Sequence, residues 1–355
     1  MSNPKDAFQE LARIFSSRDN QVLEIEIIPS SLGATFLTDG SSVGVTKKAL
    51  VQAFTVARQL FFDRLMPMSE DDLQTAFSAR TQSGDADSII TEVMLLFDCE
   101  HLTACNWRKR RLQAAMAHCA GISNRTSAAA ETLEAELTLM SSYQCSPLHR
   151  HTKSPTLWHH RLWVVAHLVR MRDWRSEELL KLQQTELEVV LRAGELHPKN
   201  YYAFSYIRQL YMLLADAVAN MESSAWKPES ALSMVDRVID WCLANPRDIS
   251  GWSFGTYVLN SISEQQRRER ALLKVVKFAL NVGWQGESLW TFVDHTSRQF
   301  CLESLVLDAM TKHCDDEIKA HASSVVQNDR QKKSWQTWLA RARVYWAAES
   351  ESQIT

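Results

Sequence analysis

The sequence predicts an all-α fold in which antiparallel pairs of helices stack on one another. Two observations lead to this fold class. Glycine and proline are scarce, at 10 and 8 of 355 residues, which favours long helices over a turn-rich β fold. In addition, a helix that opens on an aromatic residue recurs after a short polar or proline-containing break, and stacked helix pairs are typically encoded by such internal repeats.

Two proline-containing breaks set the ends of two predicted helices. The break at 197–200 (HPKN) follows a predicted helix over 177–194, and the break at 245–248 (NPRD) follows one over 229–244. Both predicted helices carry apolar residues at helical spacing on one side, and proline commonly follows a helix end. The predicted second helices of the pairs span 158–171, 201–215 and 250–262.

The chain is predicted to divide into three segments. Residues 1–90 form an N-terminal extension that is partly helical, and residues 91–300 hold the helical repeats. Residues 301–355 are expected to form C-terminal capping helices, the last of them over 335–346 (WQTWLARARVYW).

The N-terminal extension has the least regular pattern. Residues 22–36 are rich in β-branched side chains and are interrupted by proline and glycine, which predicts a short hairpin or an irregular stretch. Apolar residues return to helical spacing over 47–62. A polar, turn-forming stretch at 80–87 (RTQSGDAD) predicts a loop before the repeats begin.

The second helices share a motif in which a bulky position stands three residues before an arginine position. The best copy has Trp158 and Arg161, and the first copy has Cys105 and Arg108. A buried tryptophan would fill the gap between adjacent helix pairs, and an arginine one turn later could bond carbonyls or a carboxylate of a neighbouring helix. The equivalents of Trp158 in the last three copies are Phe204, Trp252 and Trp290.

This motif resembles the N-Y-x-x-W-x-x-R repeat of protein prenyltransferase α subunits, and in particular the divergent prenyltransferase α-subunit repeat-containing proteins. The resemblance covers residues 95–295 and implies a right-handed α-α superhelix. In that family the α subunit wraps around a β subunit that carries the zinc and the thiolate chemistry. The resemblance thus implies an α-type subunit of a heterodimeric protein prenyltransferase, inactive alone, with geranylgeranyl transfer to protein cysteine as the expected reaction.

The resemblance also implies which residues face the active site. Lys199 occupies the position of a lysine near the isoprenoid diphosphate, where it would neutralise charge on the leaving group as an auxiliary catalytic residue. Asn200, Tyr201 and Tyr202 would face the substrate or the partner. No cofactor is expected on this chain alone, and zinc is expected on the β subunit. The implied partners are that β subunit, a protein substrate with a C-terminal cysteine, and an isoprenoid diphosphate at the subunit interface.

A second hypothesis stays open, namely a non-catalytic interaction scaffold that retains the α-subunit fold. The missing tryptophans favour it, as do Ile207 and Gly255 at arginine positions. The intact start of the third copy at Lys199 argues against it. A generic helical-repeat adaptor is disfavoured because the repeated residues fit the prenyltransferase motif better than the tetratricopeptide pattern.

The composition argues against several other classes. With 39 Lys and Arg against 42 Asp and Glu, no basic excess suggests nucleic-acid binding. The longest apolar stretches fall far short of the roughly 20 residues that span a bilayer. Seven cysteines without C-x-x-C pairs suit a reducing compartment, so a cytoplasmic location is expected. No metal site is predicted, because the nearby histidines have no carboxylate or cysteine at ligand spacing: His149, His151, His159 and His160.

Overall fold

The computed structural model describes residues 3–66, 69, 86–119, 123–219 and 226–321, together with positions 337, 340 and 344. Within these residues the chain is mostly helical, with thirteen α-helices and one three-stranded sheet. The chain divides into two compact units, Met1–Ser223 and Ser224–Thr355.

The first unit begins with a helix and a small mixed sheet. Helix α1 (Pro4–Ser16) starts at an Asn3 cap. The proline in its first turn has no backbone N–H, so it leaves no donor unsatisfied there. Strand β3 lies between β1 and β2, pairing parallel with β1 and antiparallel with β2. The strands are β1 (Glu24–Ile28), β2 (Phe36–Asp39) and β3 (Ser42–Thr46).

This small sheet stands, within the described residues, beside a mostly helical chain that is consistent with the predicted all-α class. Residues 22–36, predicted as a short hairpin or an irregular stretch, hold β1 and the first residue of β2. The pairing of β1 with β3 is parallel, so it needs a crossover and is not a local hairpin. Only the shorter antiparallel pair, β2 with β3, is joined by a tight turn.

Seven further helices complete the first unit. Helices α1 and α2 pack on each other and on α3, and α2 continues into a π-helical turn, Phe61–Leu65. Their shared apolar core includes Leu11, Val45 and Ala53, which are essentially inaccessible to solvent. The helices are α2 (Lys47–Leu60), α3 (Ala86–Phe97), α4 (Leu102–Cys119), α5 (Ser123–Gln144), α6 (Pro155–Met171), α7 (Ser176–Leu196) and α8 (Tyr201–Ala219).

From α3 onward the helices pack as successive pairs. Helix α3 packs on α4, α5 on α6, and α7 on α8. Alternate helices also touch, since α4 contacts α6, α6 contacts α8, and α5 contacts α7. A 3₁₀ turn, His151–Lys153, precedes α6 and packs against α5, α7 and α8. The first unit thus contains a row of even-numbered helices beside a row of odd-numbered ones.

The second unit repeats this packing pattern. Its first helix packs on the second and the third on the fourth, while contacts between alternate helices link the first to the third, the second to the fourth, and the third to the fifth. These helices are α9 (Trp226–Ala244), α10 (Ile249–Asn260), α11 (Gln265–Asn281), α12 (Glu287–Gln299) and α13 (Glu303–His321).

The helices predicted from the proline breaks are present. The predicted segments 177–194 and 229–244 correspond to α7 and α9, and the three predicted second helices correspond to α6, α8 and α10. The predicted loop at 80–87 lies outside the described residues up to position 85, and α3 already includes its last two residues. The terminal helix expected over 335–346 lies outside them except at three positions, which are helical. The boundaries at 90 and 300 stay a prediction.

No helix in the described part of the chain combines the length and the apolar character needed to cross a bilayer.

Candidate interaction site

Three motif copies share a capping position at the start of their helix, four residues before the position of Trp158. Ser154, Asn200 and Asp248 accept hydrogen bonds from backbone amides of the first turns of α6, α8 and α10, at 3.1, 3.2 and 2.8 Å. These bonds satisfy amide groups that have no partner within the helix. The capping residues therefore explain where the three helices begin.

The motif tryptophans make the same hydrogen bond in three copies. In each, indole Nε1 donates to the carbonyl of the residue six positions earlier, at 2.8, 2.9 and 2.9 Å. The side chains are buried and cannot reach water, so this bond gives each indole N–H the partner that it would otherwise lack. The tryptophan thereby fastens the preceding loop to its own helix. The donors and acceptors are Trp158 with Thr152, Trp252 with Pro246, and Trp290 with Trp284.

The capping side chains also link one copy to the next. Ser154 Oγ donates to the Cys99 carbonyl at 3.1 Å, in the loop before α4. Asn200 Nδ2 donates to the Thr152 carbonyl at 2.6 Å, in the loop before α6. The Thr152 carbonyl thus accepts from the tryptophan of its own copy and from the cap of the next. The loops before α4, α6 and α8 are consequently joined in one row.

The prediction that Asn200 faces a substrate or partner is wrong. Its side chain is completely buried, and both ends of its amide are used inside the protein, one for capping and one for the Thr152 carbonyl. Asparagine is among the residues best suited to cap a helix, and that role points it inward.

Arg108 is buried on α4 and joins the two helices on either side. Its guanidinium donates to both carboxylate oxygens of Glu136 on α5, at 2.7 and 2.5 Å. A third nitrogen donates to the hydroxyls of Ser88 and Thr91 on α3, at 3.0 and 2.8 Å. Burial alone would raise the pKa of Glu136, but Arg108 and a hydrogen bond from His160 hold that pKa well below its usual range.

Arg161 repeats this arrangement one helix pair later. From α6 it donates to both oxygens of Glu186 on α7, at 2.6 and 2.8 Å. It also donates to Ser141 Oγ and Gln144 Oε1, at 3.0 and 3.2 Å, at the end of α5. A buried charge is tolerated when it is paired and its remaining hydrogen-bonding capacity is used. Both arginines meet this condition.

Each buried carboxylate is also bonded by the next motif helix. His160 Nε2 on α6 donates to Glu136 at 2.7 Å, and the Tyr206 hydroxyl on α8 donates to Glu186. His160 and Tyr206 occupy the same motif position, two residues after Trp158 and Phe204. Burial raises the pKa of the Tyr206 phenol well above its usual value, so the hydroxyl remains a donor. Each carboxylate therefore connects two successive motif helices.

Sequence reasoning missed Glu136 and Glu186. They lie on the odd-numbered helices, 28 residues after Arg108 and 25 residues after Arg161. An acidic residue at this interval inside an otherwise apolar helix stripe is the signal that could have found them.

The motif has no arginine in the second unit. Gly255 and Val293 stand at the arginine positions of the last two copies, and both are buried. A Cβ added at Gly255 would lie 3.5 Å from Phe292 and 3.8 Å from Ile239, which are apolar. The Trp252 and Phe292 rings pack with centroids 4.7 Å apart. This part of the second unit is thus held by apolar contact where the Arg108 and Arg161 copies of the first unit use an ion pair.

The remaining residues predicted to face a partner lie on the surface at the start of α8. Tyr201 and Tyr202 are 62% and 46% exposed. Lys199 is exposed and takes a left-handed backbone conformation, with φ of 60°. Contact of Lys199 with a diphosphate stays a prediction. No group of three or more potential metal ligands occurs among the residues that the structure describes.

One protein family matches part of the helical repeats. Residues 157–279 match the ECM9 middle domain. The match covers about a third of the 355-residue chain and includes the motif copies at Trp158, Phe204 and Trp252. No curated protein sequence matches the chain.

The resemblance to prenyltransferase α subunits is therefore wrong, because the family that matches these copies is a different one. The contacts give a physical reason for the error. The tryptophan position fastens a loop to its helix, and the arginine position, one turn later, reaches a carboxylate on the neighbouring helix. Both are packing requirements of stacked helix pairs, so the spacing does not identify a catalytic family.

Proposed function

We propose that the chain is a non-catalytic helical-repeat scaffold that binds other proteins, with the helix pairs of each unit stacked as a right-handed superhelix. One observation carries the proposal: the motif side chains are used in contacts between neighbouring helices and loops. Trp158 fastens a loop, Asn200 links two loops, and Arg161 bridges two helices. Repeat proteins build extended binding surfaces from such stacked pairs.

The two buried ion-pair networks support a role in precise alignment. Replacing a buried ion pair with apolar residues is often neutral or stabilising, so such a pair is weak evidence for extra stability. Arg108 and Arg161, however, fix the register of one helix against the next through several directed hydrogen bonds. A scaffold whose surface is assembled from many helices needs this alignment.

We infer a cytoplasmic location for this scaffold. Within the part of the chain that the structure describes, five cysteines are free thiols, as suits a reducing compartment. Burial raises the pKa of the Cys105 thiol to about 12, so this motif cysteine acts as a small apolar side chain. The free thiols are Cys99, Cys105, Cys145, Cys242 and Cys301.

Prenyl transfer with a zinc-bearing β subunit was expected from the resemblance alone, and it stays an untested prediction. It also provides the sharpest test of the scaffold. The full-length chain would be used to capture proteins from an extract of its own organism, and each captured protein would be purified and recombined with the chain.

The expected result is a stable complex, seen by size-exclusion chromatography, that transfers no labelled isoprenoid from its diphosphate to any protein. Cross-links to the partner should fall on exposed residues of the helix pairs. Transfer of the label to a protein cysteine would overturn the scaffold proposal, as would failure of every captured protein to form a complex with the well-folded chain.

A further inference from the structure

The loops before α6 and α8 bring five basic side chains to one edge of the first unit. We name this set the basic edge: His149, Arg150, Lys153, His197 and Lys199. The loops are held together by the hydrogen bond from Asn200 to the Thr152 carbonyl. The rings of His149 and His197 lie with centroids 4.4 Å apart. Burial, Lys153 and His149 together lower the pKa of His197, which places these three groups in one electrostatic neighbourhood.

The carboxylates nearest the basic edge already have partners, and for one of them that partner is Arg150 of the edge itself. Asp98 lies 3.7 Å from Arg150, and Glu100 accepts a hydrogen bond from Thr156. At the end of α7, Arg192 lies 3.4 Å from Glu195 and 3.7 Å from Glu24 of β1. Arg192 therefore offsets part of that negative charge.

Two tyrosines extend the basic edge with apolar surface. Tyr201 and Tyr202 directly follow the loop that carries His197 and Lys199, and both rings are substantially exposed. Tyrosine and arginine are enriched in protein interfaces, because they combine a large contact area with hydrogen bonding. A free anion would leave the rings uncovered, whereas a protein segment with acidic and apolar residues would cover them.

We propose that the basic edge, together with Tyr201 and Tyr202, binds an acidic segment of a partner protein. This inference rests on the scaffold function and names the chemistry of one partner. Carboxylates on the partner would pair with Lys153 and Lys199, and apolar side chains between them would pack on the tyrosine rings. Binding is expected to tighten as the pH falls, because partner carboxylates favour the protonated form of His197, whose pKa is lowered in the free protein.

The test uses the full-length chain and a fluorescein-labelled peptide of alternating glutamate and phenylalanine residues, read by fluorescence anisotropy. The control peptide carries glutamine in place of glutamate. We expect the affinity for the glutamate peptide to fall about tenfold when Lys153→Glu and Lys199→Glu are combined. Lys199→Asn is the milder variant, because asparagine tolerates the left-handed backbone at that position.

Lys181→Glu is the matched control. Lys181 is exposed on α7, and its distance in sequence from His197 corresponds to about 24 Å along the helix axis. Its substitution should leave peptide binding unchanged. Equal losses in Lys181→Glu and the double variant would overturn the proposal, since net charge alone would then govern binding.

The proposal would also be overturned if the chain showed no preference for the glutamate peptide over the glutamine peptide and one of two other results was seen. These are binding to phosphatidylserine vesicles and displacement of the peptide by millimolar phosphate. The first outcome would assign the edge to a membrane surface and the second to a free anion. If partner complexes form normally with the double variant, the inference fails while the scaffold function stands.

Discussion

The two units place different side chains at the same motif position. In the first unit, Arg108 and Arg161 reach buried carboxylates on the following odd-numbered helix. The third copy of the first unit has buried Ile207 at this position, and the two copies of the second unit have buried Gly255 and Val293. A Cβ added at Gly255 would have apolar neighbours. The position of Trp158 holds tryptophan, phenylalanine or cysteine in the different copies. The arginine occurs where the neighbouring helix offers a carboxylate. Whether a copy has arginine at this position therefore depends on the neighbouring helix as well as on its own.

This difference gives the first unit a dependence on charge that these apolar contacts do not share. Buried ion pairs are stable only while both partners are present and correctly ionised. Apolar packing depends mainly on volume and shape. Substitutions that remove a buried charge should therefore lower the stability of the first unit. Substitutions that change side-chain volume should alter the stability of the second.

The largest expected effect comes from Arg161→Met. This change leaves Glu186 buried without its main cationic partner, and removing one member of a buried pair typically costs about 3–5 kcal/mol. The double variant Arg161→Met with Glu186→Leu should recover most of the loss. Urea unfolding would measure the free energy, and hydrogen exchange followed by mass spectrometry should place the loss in α5 to α8.

Arg170→Met, at an exposed position of the same helix, is the control and should change stability by less than about 0.5 kcal/mol. A double variant no more stable than Arg161→Met would contradict this prediction, because the unpaired carboxylate would then not be the source of the loss.

Acid should weaken the first unit through His151. Burial, opposed by hydrogen bonding to the Leu95 carbonyl, lowers the pKa of His151 to about 4. The unfolded chain binds that proton near pH 6.5, so between these values the unfolded state holds more protons and stability falls as the pH falls. The expected loss from pH 7 to pH 5 is about 2 kcal/mol.

His151→Gln keeps an amide donor for the Leu95 carbonyl and removes the titrating ring. It should flatten the pH dependence of urea unfolding over this window, although it can lower stability at pH 7. The same loss from pH 7 to pH 5 in both proteins would assign the effect to other groups.

Two glycines of α10 test how tightly the apolar contacts of the second unit are packed. A Cβ at Gly251 would lie 2.4 Å from the Trp241 ring, whereas at Gly255 its nearest neighbour would be Phe292 at 3.5 Å, an ordinary contact. Gly251→Ala should therefore destabilise the second unit by about 1 to 2 kcal/mol through overpacking.

Gly255→Ala should instead stabilise the second unit by about 0.5–1 kcal/mol, because alanine is the better residue inside a helix. Thermal unfolding of the two variants, measured side by side, would show the opposite signs. Destabilisation by both would mean that the arginine position of this copy has no room even for a methyl group.

Much of the helical pattern could be predicted from the sequence, because local signals set it. Pro198 and Pro246 end the regions of α7 and α9, and apolar residues at helical spacing identify the helices before them. The N-terminal sheet could not be predicted in the same way. Its strands are only four or five residues long, and β1 pairs with β3 although β2 lies between them in the sequence.

The candidate site likewise has residues that local sequence patterns identify and residues that only contacts between distant segments identify. The internal repeat locates Trp158 and Arg161, but the partner Glu186 belongs to another helix and has no local signature. Asn200 was misassigned because its role was taken from a family resemblance. Its residue type and its place before a helix favour a cap, which is what the structure shows.

The shared carbonyl of Thr152 limits how the chain can change in length. Because it accepts from Trp158 in its own copy and from Asn200 in the next, excising the α7–α8 pair would remove a donor that crosses the junction. The same excision would take away Glu186 and leave Arg161 a buried cation without its carboxylate. Gain or loss of a single helix pair in the first unit would therefore need compensating substitutions on both sides of the junction, so its number of repeats should be difficult to alter.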